Sequence, residues 1–250
     1  MPRCAPGGSR EQRGIRTASD PRFMHISVAR ALGIELVEGR WTPGEARTLS
    51  ALQCRFSVSR TIAREAGRRL ESLGMVEARR RVGLVALPCG SWNTWGTEVI
   101  DWALISSVRG RQVESLGELY VAVGPAAAEN TARSATAGTR RRIAALAEAC
   151  ISKVSIAPSS DAALTGDIAL QSALFESCGN GMYRWIAAYV APVLSEWPRR
   201  EGGSTVSVGE FVAAREALAR GVVEANPGLA ALAMRSIVSE VRSPGVRGSK

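Results

Sequence analysis

Arginine stands at positions 60, 64 and 68, and again at 79, 80 and 81, within the stretch SVSRTIAREAGRRLESLGMVEARRRVG. A guanidinium stays charged at any physiological pH. Its planar fork of N–H donors grips phosphate, or the O6 and N7 edge of guanine. At a spacing of four on a helix, Arg60, Arg64 and Arg68 gather on one side with Thr61 beside them, while Ile62, Ala66, Leu70 and Leu73 gather on the other. The apolar side pins the helix to its neighbours and the basic side stands clear. Such a stripe is a solvated face or a binding face. Its context favours binding, because Arg79, Arg80 and Arg81 follow at a hairpin tip, where three like charges repel unless solvent or an anion screens them.

Charge distribution points the same way. The 250 residues carry a net charge of +9. Residues 1–90 hold 16 Arg and no Lys against 8 acidic residues, whereas the remainder balances 16 basic against 15 acidic. That asymmetry suggests a polyanion-binding module joined to a neutral one. Hydrophobic residues make up 46% and charged residues 22%, the balance of a folded domain. No apolar run is long enough to span a membrane, so none is expected as a partner. Five widely spaced cysteines, with no CxxC pair, argue against a disulfide framework or zinc finger and for reduced thiols in a cytoplasmic protein. Residues 1–21 are basic and Gly/Ser-rich without an apolar core, which predicts a disordered leader rather than a signal peptide. Residues 243–250 predict a disordered tail.

The elements that must position the arginines follow from local patterning. Val28, Leu32 and Leu36 mark one face of a helix over 26–38, with Gly39 as its stop and Pro43-Gly44 as a turn. Thr48 can cap a short helix, SVS breaks it, and a longer helix runs from Ser59 to Leu73 with Gly74 beyond its end. Gly67 inside that helix either weakens it or permits a close approach. MVEARRRVGLVALP reads as two strands around a basic turn, stopped by Pro88. A short helix, a tight turn and an arginine-bearing helix make a helix-turn-helix, and the hairpin makes a basic wing. One element for the DNA major groove and one for an adjacent groove or phosphates is a coherent use of both.

The expected fold is mainly α. A winged helix-turn-helix of three helices plus a β-hairpin wing spans 22–88, and a linker spans 89–97. An all-α bundle of six to seven helices follows over 98–242. Trp92, Trp95 and Trp102 are expected to pack the two domains together. Helical stretches recur at about 98–109, 114–135, 139–152, 161–177, 181–196, 206–224 and 227–241, the last capped by Asn226 ahead of Pro227.

VSRTIAREAGRRLESLGMVEARRRVG resembles the signature of the GntR superfamily of bacterial transcription regulators, and GIELVEGRWTPGE resembles the family's first helix and Gly-x-x-x-Pro-Gly turn. ELYVAVGPAAAENTARSAT and GDIALQSALFESCGN are similar to helices of the FadR-type ligand-binding domain, and SWNTWGTEVIDWAL to the junction of members that sense sugar acids. The resemblance gives Arg60, Thr61 and Arg64 the family's DNA-contacting places. It puts the wing tip at Arg80 and Arg81, with Gly83 permitting a turn; Arg68 and Arg79 join them on charge and position. Where a Pro-Ser-Glu run is usual, this chain has Arg47-Thr48-Leu49.

The resemblance also implies a divalent metal held by one Asp and three His. Asp167 fits the Asp, but Gln171, Glu216 and Ile237 stand at the histidine places, and the chain's one histidine is His25, read as an exposed or half-buried helix residue. No metal or other cofactor is therefore expected. Tyr120 and Gly124 replace an Arg and a Glu near the effector. The pocket candidates are Tyr120, Asp167, Gln171 and Glu216. The leading function is a homodimeric DNA-binding regulator, a repressor on a palindromic operator modulated by a small-molecule effector. One alternative keeps DNA binding but makes the helical domain a ligand-independent dimerisation module. A lesser one houses an enzyme there, although no nucleophile motif or phosphate loop is present.

Overall fold

The computed structural model describes residues 21–94, 96–157, 160–196 and 207–242. The expected leader (Pro21 apart), Trp95 and the expected tail lie outside the described residues. The chain divides into two compact units, 1–112 and 113–250.

In the first unit α1 (Pro21–Val37) buries Val28, Ala29, Leu32 and Leu36, and Gly39 ends it at a φ of +74°. His25 is half-buried on it. Thr48 caps α2 (Leu49–Phe56) by accepting from the Ala51 N–H at 3.1 Å. Ser57 closes α2 in the left-handed region, at φ +52°. Ser59 caps α3 (Arg60–Ser72), and Gly74 follows at φ +68°. Strands β2 (Val76–Arg79) and β3 (Gly83–Ala86) form the wing, in register from Val76↔Ala86 to Arg79↔Gly83. The expected two-stranded hairpin gains a third member, β1 (Ala46–Arg47), which pairs antiparallel with β3 to give the order β1-β3-β2. Two residues have no periodicity to read; their partner defines them.

Gly67 proves to be a close approach, because a Cβ there would sit 2.8 Å from Leu84 Cδ1 of β3. Gly83 has two constraints. Its φ is +115°, and a Cβ would collide with the Arg47 carbonyl on β1. The helix α4 (Thr97–Leu104) groups with this first unit. Val99 and Trp102 of α4 enter the core shared by Leu32, Trp41, Leu52, Leu70 and Met75, and the Trp102 ring occupies the space a Cβ on Gly33 would need. Trp92 packs on the same core and donates to the Leu87 carbonyl at 3.0 Å.

The second unit is helical throughout its described residues: α5 (Arg109–Ser134, most of it past the division), α6 (Ala137–Ile156), α7 (Asp161–Ser177), α8 (Gly181–Arg184), α9 (Val190–Glu196), α10 (Val208–Val223) and α11 (Pro227–Arg242). The single helix expected over 181–196 is interrupted by a 3-10 segment, Trp185–Tyr189. Pro192 explains this. It lacks an N–H, and its ring crowds the carbonyl four residues back, at Ala188. Asn226 caps α11, its Oδ1 accepting from Leu229 N–H at 3.0 Å. No helix among the described residues is long and apolar enough to cross a membrane.

Candidate nucleic-acid interface

α3 separates its two faces. Ala63, Ala66, Gly67 and Leu70 are buried, while Arg60, Thr61, Arg64 and Arg68 are exposed. The first turn of α3 contains no acidic residue, so its N-terminal N–H groups and Arg60 present uncompensated positive charge. Arg64 and Arg68 share Glu65, at 3.8 and 3.0 Å. Arg60 has no ion pair among the described residues. On the wing Arg79, Arg80 and Arg81 are all exposed; Arg79 pairs with Glu77 at 2.9 Å, and Arg80 and Arg81 have no such partner among the described residues. Exposed pairs of this sort are worth about 0–1 kcal/mol, little enough for a phosphate to displace. Arg81 adopts a φ of +65°, strained for an arginine and free of cost for glycine.

Behind this surface lies a charged cluster the sequence reading did not find. Glu35 of α1 is buried, yet its carboxylate accepts from Arg47 at 2.5 Å and from two nitrogens of Arg55, one at 3.0 Å. Burial alone would raise its pKa, but Arg55 and Arg47 outweigh that and hold it below the ordinary range. The Arg47 guanidinium stacks on Trp41 at 4.5 Å. Glu35 thereby ties β1 and α2 to α1 and fixes the platform from which α3 projects. Residues 26–85 match the family described as bacterial regulatory proteins, gntR family.

These residues form a GntR-family DNA-binding domain. The match covers α1 from Ile26, the helix-turn-helix and the wing as far as Val85. The chain is also similar to three solved structures. A GntR protein of Streptococcus agalactiae is 20% identical, over 87% of this chain and 98% of its own, with a TM-score of 0.45. McbR/YncC of E. coli is 13% identical, over 87% and 96%, at 0.38. Lar of Listeria monocytogenes is 18% identical, over 87% and 94%, at 0.42. No curated protein matches the chain.

In the second unit three of the four pocket candidates come together. Tyr120 of α5 and Gln171 of α7 are fully buried, and the Tyr120 hydroxyl donates to Gln171 Oε1. Asp167 lies one turn earlier on the same face of α7. Burial and the Asp167 charge push the Tyr120 hydroxyl well above its ordinary pKa, so it stays protonated. Glu216 is exposed and apart from the group. Its chain neighbour Arg215 occupies the interior instead, at 2% exposure. Arg215 donates to both oxygens of Asp167, at 3.2 and 2.9 Å, and to both of Glu240, at 2.6 and 2.7 Å. The Phe211 ring covers the guanidinium at 3.5 Å. Burial opposes the charge on Arg215, but the two carboxylates overcome it and raise its pKa further. Ile237 is buried.

Proposed function

We propose that this protein is a sequence-specific, double-stranded-DNA-binding transcriptional regulator of the FadR-type branch, acting in the cytoplasm as a homodimer on a palindromic operator. Arg60, Thr61, Arg64 and Arg68 of α3 enter the major groove. Arg79, Arg80 and Arg81 of the wing engage phosphates or the adjacent groove. Gly83 serves them indirectly, by letting the wing turn beneath β1. A two-fold dimer presents two recognition helices to two half-sites, and occupancy of a promoter represses by exclusion. The observation that carries this reading is the exposed arginine face of α3 opposite a fully buried one, on a domain matched to DNA-binding regulators.

The test is titration of the chain's own upstream DNA by fluorescence anisotropy at several salt concentrations. Arg60→Ala and Arg64→Ala should each weaken binding, and Arg80→Ala should reduce the salt slope by about one. Unchanged affinity and slope in all three would refute the assignment.

For the helical unit, a binding experiment distinguishes control by a small-molecule effector from ligand-independent dimerisation. The second is favoured by one observation: Tyr120, Asp167 and Gln171 point into a cluster that already bonds to itself. The favourable sign for an effector is the Gln171 Nε2 amide, buried with no hydrogen-bond partner. A metabolite panel, sugar acids included, added to the anisotropy titration separates the two.

A further inference from the structure

We infer that the Arg215 guanidinium is the resident cation of the helical unit, a covalently attached charge standing where a divalent ion would collect carboxylates from several helices. The FadR-type resemblance implies such an ion with Asp167 among its ligands, and the residues present do not fit one. Both Asp167 oxygens face Arg215 Nε and Nη2, and both Glu240 oxygens face Nη1. Gln171, one turn along from Asp167, spends its oxygen on Tyr120. Among the described residues no three His, Cys, Asp or Glu side chains converge. An incoming divalent ion would meet a like charge that cannot lose its proton.

The guanidinium does the structural work of the ion. It joins α7 through Asp167, α11 through Glu240 and its own α10, and its remaining face is sealed by Phe211. It grips Asp167 with a two-nitrogen fork, the geometry in which arginine exceeds lysine, and holds both Glu240 oxygens through Nη1. Unlike a metal, it cannot be removed by a chelator or exchanged. The helical unit is therefore indifferent to metal supply, whichever small molecule it takes.

Thermal unfolding of the full chain tests this without reference to DNA. The wild-type midpoint should be the same with EDTA and with millimolar manganese, and the purified protein should hold no stoichiometric metal. Arg215→Ala should lower the midpoint by about 10 °C, since it strands a buried carboxylate, Asp167, and a half-buried one, Glu240. Manganese should restore part of that loss, and Asp167→Asn in the Arg215→Ala background should abolish the restoration. If Arg215→Ala does not fold, Arg215→Lys keeps the charge without the fork and should melt between wild type and the lost state, still unmoved by EDTA. A wild-type midpoint that falls with EDTA, or bound metal that Asp167→Asn releases, overturns the inference. So does an Arg215→Ala variant blind to manganese, which would reduce Arg215 to an ordinary ion pair.

Discussion

Each unit buries a cluster of arginine and carboxylate, and the two are inverses. In the first, one carboxylate, Glu35, sits between Arg47 and Arg55. In the second, one guanidinium, Arg215, sits between Asp167 and Glu240. Around Glu35 the network balances, Arg40, Arg47 and Arg55 against Glu35, Glu38 and Glu45, whereas Arg215 faces one carboxylate more than it can neutralise. Solvent access differs as well: the Arg47 and Arg55 side chains are 18% and 47% exposed, against 2% for Arg215. The first cluster leaves Arg55 half open to solvent, on a domain where Arg60, Arg80 and Arg81 have no ion pair among the described residues. The second closes its charges on itself. The same pair of functional groups builds a solvent-reached brace in one place and a closed staple in the other.

The largest effects should come from breaking the symmetry of burial. Arg215→Leu leaves buried Asp167 and half-buried Glu240 uncompensated and should cost about 3–5 kcal/mol by urea unfolding. Glu35→Gln leaves two arginines that can turn to water, and should cost about 1–2 kcal/mol, the range for a lost partner that solvent replaces in part. Equal costs would show that solvent access is not what separates the clusters.

Next in size is DNA affinity. Arg60→Ala should lose about 1–3 kcal/mol of binding free energy, with thermal stability unchanged. Arg141, exposed on α6 of the second unit, should leave affinity and salt slope untouched when replaced by alanine. A comparable loss from Arg141→Ala would mean that surplus charge in general, rather than the first unit's architecture, holds the polyanion.

Acid titration sharpens the comparison through its sign. Glu35 has a folded-state pKa below its ordinary 4.5. Its contribution is present above that value and is lost as pH falls through the lowered one. Glu240 is shifted the other way: burial raises its pKa, and Arg215 offsets this only in part. Its contribution is full below 4.5 and fades as pH rises through the raised value. Glu35→Gln should therefore flatten the acid limb of a stability–pH curve, and Glu240→Gln should steepen the stretch just above 4.5. Deviations of the same sign would contradict the inverse arrangement.

What was legible in the sequence was local. Thr48, Ser57 to Ser59, Gly39 and Gly74 announce helix ends through cap and turn chemistry, and the 3.6-residue period marks the helices. The arginine stripe of α3 was legible because one helix carries it whole. The clusters were not, because each is assembled from separate elements. Arg215 nevertheless left a trace. It falls in the middle of the apolar stripe of Phe211, Ala214, Leu218 and Val222 on α10, where an arginine needs a buried partner. Matching by count landed on Glu216 instead, and one residue on a helix is a rotation of about 100°. Glu35 is the same case at the edge of the Val28–Leu32–Leu36 stripe. β1 left no local trace, since two residues become a strand only by pairing with β3.

The smallest effect concerns the wing tip, where charge and conformation compete. Arg81 holds a left-handed backbone that glycine adopts freely. Arg81→Gly should therefore stabilise the fold, by about 0.5–1 kcal/mol in urea unfolding, while weakening DNA binding and lowering its salt slope. Arg80→Gly, at a neighbour without a positive φ, should weaken binding without the gain in stability. Opposite responses of stability and affinity at Arg81 alone would mean that the first unit accepts backbone strain to place a cation at its surface. The second unit spends its buried cation on holding helices together. If Arg81→Gly leaves affinity unchanged, the tip arginine is a solvated turn residue and the DNA-binding face ends at α3.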